Sequence, residues 1–166
     1  MRPLEGQVAV VAGATRGAGR GIACMLGQAG ATVYCTGRSV RGNPSTIGRS
    51  ETIEETAEMV TAHGGVGIWA QVDHTQTEQV KALFERVRIE QDGRLDILVN
   101  DISGDWHLAL GQLAGKEESL FWRYPLEEGL TAQQEGVYSH MITSYYAAPL
   151  MIARRQGLIV EINDGN

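Results

Sequence analysis

Gln7-Val-Ala-Val-Val-Ala-Gly13-Ala-Thr-Arg-Gly17-Ala-Gly19 is the stretch that decides the fold. Its first half is a short apolar run closed by glycine, the pattern of a strand buried on both faces. Its second half spaces glycines so that the chain turns tightly and passes into a helix read over Gly17–Gln28. Strand, glycine loop and helix in that order are what a nucleotide pyrophosphate needs. The loop backbone approaches it closely, and the helix start offers free N–H groups and a positive dipole end.

The pattern continues outward from that stretch. Ala31–Thr36 reads as a second strand and the Gly-, Pro- and Asn-bearing run 37–50 as a loop. A helix over Glu51–Ala62 follows, capped by Ser50 or Thr52. Thr52 with Glu55 has capping-box spacing, and Ile53, Ala57 and Val60 make the inner stripe. Val66–Val72 is a third strand. Thr77–Gln91 is a helix with Val80, Leu83, Phe84 and Val87 on one face. Leu95–Val99 and Gly157–Ile162 are the fourth and fifth strands, separated by an irregular aromatic stretch (101–128) and a long helix from about Leu130 to Ala153 that contains Pro149. Alternation of this kind predicts one α/β domain over 1–166, a Rossmann-like doubly wound parallel sheet of about five strands with helices on both faces. Ligands bind such sheets beyond the carboxyl ends of the strands.

Composition narrows the partners. The net charge is −6, which argues against nucleic acid, yet Gly6 to Ser50 holds five arginines and no acid. That local cationic segment points to an anionic ligand. No apolar run reaches the length of a membrane span, no signal-peptide pattern opens the chain, and Cys24 and Cys35 suit buried thiols rather than a disulfide framework. The expected compartment is the cytoplasm. No cysteine–histidine cluster has metal-ligand spacing. Glu51, Glu54, Glu55 and Glu58 read as a solvated helix face, His63 as a helix C-terminal residue and His140 as structural.

The glycine pattern after a first strand resembles the short-chain dehydrogenase/reductase family. Further residues agree: Thr36-Gly37-Arg38-Ser39 after the second strand, Asp73 after the third, and Asn100 in Leu98-Val99-Asn100-Asp101 after the fourth. The resemblance implies hydride transfer between a nicotinamide cofactor and a small carbonyl or alcohol substrate. It implies that Gly13, Thr15, Arg16, Gly17, Ala18 and Gly19 hold the pyrophosphate, that Asp73 meets adenine with His74 at the same pocket edge, and that Asn100 lies on the ribose side. The cofactor choice has its own argument. An acid at the end of the second strand would accept from the ribose 2′-OH of NAD. None stands near it in the sequence, whereas Arg38 and Ser39 do, with Arg16 and Arg41 close by, and guanidinium forks suit a 2′-phosphate. The expected cofactor is NADP rather than NAD.

The family's proton-transfer set is a Ser on the fifth strand and a Tyr-x3-Lys on the next helix. Neither lysine of this chain, Lys81 or Lys116, lies four residues after a tyrosine. At the Ser position stand Asn163 and Asp164. Asp164 is the expected catalytic residue, and 1–166 is expected to be part of a longer chain. The family's Asn on the long helix falls near Gly136. Trp106, His107, Phe121, Trp122, Arg123 and Tyr124 read either as aromatic walls of a substrate lid or as packing of the loop onto the body. Two other functions remain open: a catalytically silent NADP(H)-binding or redox-sensing module, and a fragment that exists only as a dimer with little cofactor affinity. Met141, Tyr145, Ala148 and Ile152 of the long helix would pair copies of the chain.

Overall fold

The structure, a computed structural model, describes residues 2–45, 48–103, 120, 122–123 and 125–163. Its elements are β1 (Val8–Ala12), α1 (Gly17–Gln28), β2 (Thr32–Gly37), α2 (Ile53–Ala62), β3 (Val66–Gln71), α3 (Thr77–Glu90), β4 (Ile97–Asn100), α4 (Leu126–Gln133), a π-helical turn (Gln134–Tyr138), α5 (Ser139–Arg154) and β5 (Leu158–Glu161). All four strand pairings are parallel, in the order β3-β2-β1-β4-β5. The α/β doubly wound sheet read from the sequence is therefore present.

Alternation along β1 shows why two helical layers form. Val8 and Val10 enter one core with Tyr34, Leu98 and residues of α3 and α5. Ala9 and Val11 enter the other with Val33, Cys35 and residues of α1 and α2. Every residue of β1 is buried, as a strand covered on both faces requires. The first two crossovers carry the chain outward from β1 to β3 on one face. The next brings it back across the sheet to β4 on the other, which leaves a switch point between β1 and β4.

Local chemistry agrees with this at the helix ends. Thr52 and Glu55 form the expected capping box, and His63 closes α2. Glycines 64 and 65 follow, as expected, with Gly64 at φ +100°. The core stripe of α2 is Ile53, Thr56, Ala57 and Val60, and that of α3 is Val80, Leu83, Phe84 and Val87. Cys24 and Cys35 are buried thiols. Burial pushes Cys35 up to about 12, so it is a packed, protonated side chain.

The long helix departs from expectation. It starts earlier, at Leu126, and is interrupted by the π turn before continuing to Arg154 through Pro149. The Ser139 N–H reaches back five residues to the Gln134 carbonyl. The Ser139 hydroxyl then donates to the Glu135 carbonyl (2.5 Å). A residue that supplies its own hydroxyl to a widened turn makes that turn tolerable.

Candidate functional site

A cleft of about 370 Å³ opens at the carboxyl ends of β1 to β4, over the switch point. Its floor is the glycine loop. Gly13 has φ +90°, and a Cβ on it would strike the backbone carbonyl of Asp101. Gly17, at φ +58°, has open space where a Cβ would stand, so a ligand can approach its backbone. Gly19 packs beneath the Gly13 carbonyl. Arg16 is the N-cap of α1 and supplies no side-chain cap, and the first turn contains no acid. The Asp101 carboxylate of the β4 exit also comes close to Gly19 in that first turn.

Of the residues picked from the sequence, Gly13, Thr15, Arg16, Gly17, Ala18, Arg38, Asp73 and His74 line the cleft. Ser39 lies beneath the rim, where its hydroxyl meets Ser45 Oγ (2.6 Å) and accepts from Arg16 (3.4 Å). The Asp73 carboxylate folds onto its own loop, accepting from the Thr75 N–H (3.0 Å) and hydroxyl (2.7 Å).

His74 is placed at the edge but its ring faces inward. Nε2 meets Thr36 Oγ1 (2.8 Å) and Nδ1 meets Thr143 Oγ1 (2.9 Å). Complete burial pushes it down to about 3, with a smaller opposing effect from Asp73. A neutral imidazole donates through one nitrogen and accepts at the other, so one threonine hydroxyl turns toward the ring. The side chain ties β2 to α5.

Asn100 departs from its expected position. It is fully buried and absent from the cleft lining. Its Nδ2 donates to Glu161 Oε1 (2.8 Å) and Ser144 Oγ (2.9 Å). Glu161 Oε2 in turn meets His140 Nδ1 (2.7 Å), and His140 Nε2 meets the Ile102 carbonyl (2.9 Å). The structural role expected of His140 is therefore specific: it joins α5, β5 and the exit of β4.

The cationic segment is less available than its charge suggests. Arg20 spans α1 and α2, bonding Thr15, Thr56, Thr52 and Glu55. Arg41 holds Glu58 with two bonds (2.6 and 2.7 Å) and does not line the cleft. Arg49 does line it while bonded to Glu51, whose carboxyl the guanidinium draws down to about 2. Glu51, Glu55 and Glu58 are thus arginine partners on a face that stays open to solvent at Glu55 and Glu58. Arg38 meets Glu135 of the π turn (2.9 Å), an acid that the linear sequence sets 97 residues away.

Several lining residues carried no sequence signal beyond following a strand: Ser45, Val72, Thr75, Ile102 and Ser103. Glu135 carried none, because only the long helix's path brings it to β2. Asp164, Trp106, His107, Phe121 and Tyr124 lie outside the described residues. Among the described residues no cluster of acids, histidines and cysteines is arranged to hold a metal, and no helix is long and apolar enough to cross a membrane.

Comparison with known proteins matches this geometry. The short chain dehydrogenase family model covers residues 7–165. The mouse dehydrogenase/reductase SDR family member 1 is 38% identical over 161 residues, 97% of this chain and 47% of that protein. The chain thus spans about half the length of the curated relatives it matches. A metagenomic short-chain oxidoreductase solved in complex with NADP is 28% identical with TM-score 0.77, covering 97% of this chain and 62% of the other. A short chain dehydrogenase from Mycobacterium thermoresistibile shares the fold at TM-score 0.79 and 21% identity, over 96% of this chain and 52% of that one.

Proposed function

Since the chain belongs to the short-chain dehydrogenase family, we propose that it is the dinucleotide-binding part of an oxidoreductase that uses NADP(H) and acts on a small carbonyl or alcohol. One observation carries the reading: a glycine loop and the start of α1, to which Arg16 gives no side-chain cap, line a cleft whose rim holds Arg16, Arg38 and Arg49. A dinucleotide fits that donor set. The N–H groups at the start of α1 and the backbone from Gly13 to Gly19 suit the pyrophosphate. Arg38 suits the 2′-phosphate as a guanidinium fork. Ser39 supports this end from below through Arg16 and Ser45. Asp73 stands at the adenine edge.

When bound, such a cofactor supplies or accepts a hydride. The chain's own residues bind, orient and brace. Asn100, His140 and Glu161 fix the exit of β4, where the substrate end of the cleft begins. Asp164 is proposed as a hydrogen-bonding or proton-transferring group at its carboxyl, following Glu161-Ile162-Asn163. Full turnover by an Asp164→Asn protein would end the proton-transfer role.

The test is direct titration with NADPH and NADH, followed by an assay of NADPH oxidation on carbonyl compounds. NADPH should bind, and Arg38→Ala should weaken it by about 10- to 100-fold, the worth of a charge-assisted hydrogen bond. Binding without turnover on any carbonyl would select the silent NADP(H)-binding module instead. No binding would refute both.

The outer face of the long helix supports the self-association reading. Tyr138, Met141, Tyr145 and Ile152 are exposed, Tyr145 and Ile152 by 72% each. Together with Ala148 they recur at alternating steps of three and four, the seam by which two helices pack. We propose a second copy of this chain as the occupant, with copies meeting across a two-fold axis. Tyr145→Glu should then lower the mass measured by sedimentation, and an unchanged mass would end this proposal.

A further inference from the structure

Arg38 and Glu135 face each other across the cleft, both lining it, with N–O separation of 2.9 Å. The contact is partly shielded, Glu135 being 18% exposed and Arg38 37%. Arg38 leaves the end of β2, and its carbonyl is held by Gln71 Nε2 (3.0 Å). Glu135 belongs to the π turn, whose carbonyl is held by the Ser139 hydroxyl. Each backbone is thus tied at its carbonyl beside the ion pair. The two other cations that follow β2 are also paired, Arg41 with Glu58 and Arg49 with Glu51.

We propose that Glu135 is a selectivity residue for the adenosine end of the cofactor, acting through competition for Arg38. This rests on the dinucleotide reading of the cleft. A 2′-phosphate brings nearly two negative charges. To reach Arg38 it must displace the Glu135 carboxylate and leave that carboxylate beside another anion in a partly buried place. A plain ribose 2′-OH brings no charge. It leaves the Arg38–Glu135 pair in place. Glu135 therefore discriminates against the 2′-phosphate that Arg38 attracts, and the pair together sets the balance between NADP(H) and NAD(H).

The test is titration of the full chain with NADPH and NADH separately, in the unaltered protein, Glu135→Gln, Arg38→Ala and the double variant. Ionic strength is held constant. Adenosine 2′,5′-bisphosphate and adenosine 5′-phosphate serve as competing probes. Glu135→Gln should tighten NADPH about three- to tenfold, the scale of a partly exposed ion pair, and change NADH less than about twofold. In the Arg38→Ala background the same substitution should change NADPH less than about twofold. Equal changes for both cofactors, no change, or an undiminished effect without Arg38 would overturn the proposal. Glu135→Ala gives the same readout should the glutamine variant not fold. Binding of both dinucleotides with unaltered selectivity defeats this inference alone. Binding of neither defeats the dinucleotide reading as well.

Discussion

Asp96 shows how much one side chain can hold. Its carboxylate accepts from the Val8 N–H (2.8 Å), Arg94 (2.7 Å) and Arg154 (3.0 Å), joining β1, the entry to β4 and the end of α5. Burial alone would raise its pKa. The two guanidinium groups and the N–H outweigh that and hold it below the ordinary range. Asp96→Ala should cost about 2–4 kcal/mol in urea unfolding, because three donors lose their acceptor. His74 makes the opposite kind of prediction. Its folded pKa near 3 lies below the ordinary 6.5, so the unfolded chain takes up a proton that the folded chain refuses. Stability from this residue is complete above pH 6.5 and is lost as pH falls from there toward 3, with a limiting slope of about 1.4 kcal/mol per unit. Urea unfolding between pH 7 and 5 should show the decline, and His74→Gln should flatten it. Neither role was legible beforehand. Asp96 looks like any polar residue inside an apolar run, and His74 was legible only as a pocket neighbour, because ring orientation depends on a threonine 69 positions away. The glycine loop was legible, since backbone freedom is written in residue type itself.

Elements were easier to read than their ends. Periodicity places α1, α2 and α3 within a residue or two, because an amphipathic stripe is a sum over many positions. The capping box at Thr52 was legible for the same local reason, and Thr52→Ala should cost about 1 kcal/mol in thermal or urea unfolding. The π turn was not legible, since Glu135 meets Arg38 of a distant loop there and no local residue pattern announces it. At the other end of α5, Arg155 closes the helix with φ +53°, a left-handed conformation that glycine adopts without penalty. Arg155→Gly should therefore stabilise the protein by about 0.5–1 kcal/mol, seen as a higher unfolding midpoint. A fall instead would mean that the arginine side chain contributes more than its backbone costs.

Across the whole molecule, the strand order follows from alternation of strand and helix with right-handed crossovers, and so does the position of the cleft over the switch point. The distribution of charge does not follow. The arginine-rich segment points to a local anionic ligand, yet α2 returns an acid to two of its five arginines, Arg20 and Arg41, while Glu51 and Glu135 pair with Arg49 and Arg38 at the rim. Linear charge counts cannot anticipate which helix lies beside which loop. The packing of Gly13 against Asp101 has a consequence at this scale. The Asp101 N–H is bonded to the Ala12 carbonyl (2.8 Å), and the Asp101 carbonyl leaves no room for a side chain on Gly13. The seam between the two halves of the sheet is closed by main-chain atoms, whatever side chains lie downstream. Substitutions after Ser103 that keep these main-chain atoms in place leave that seam closed.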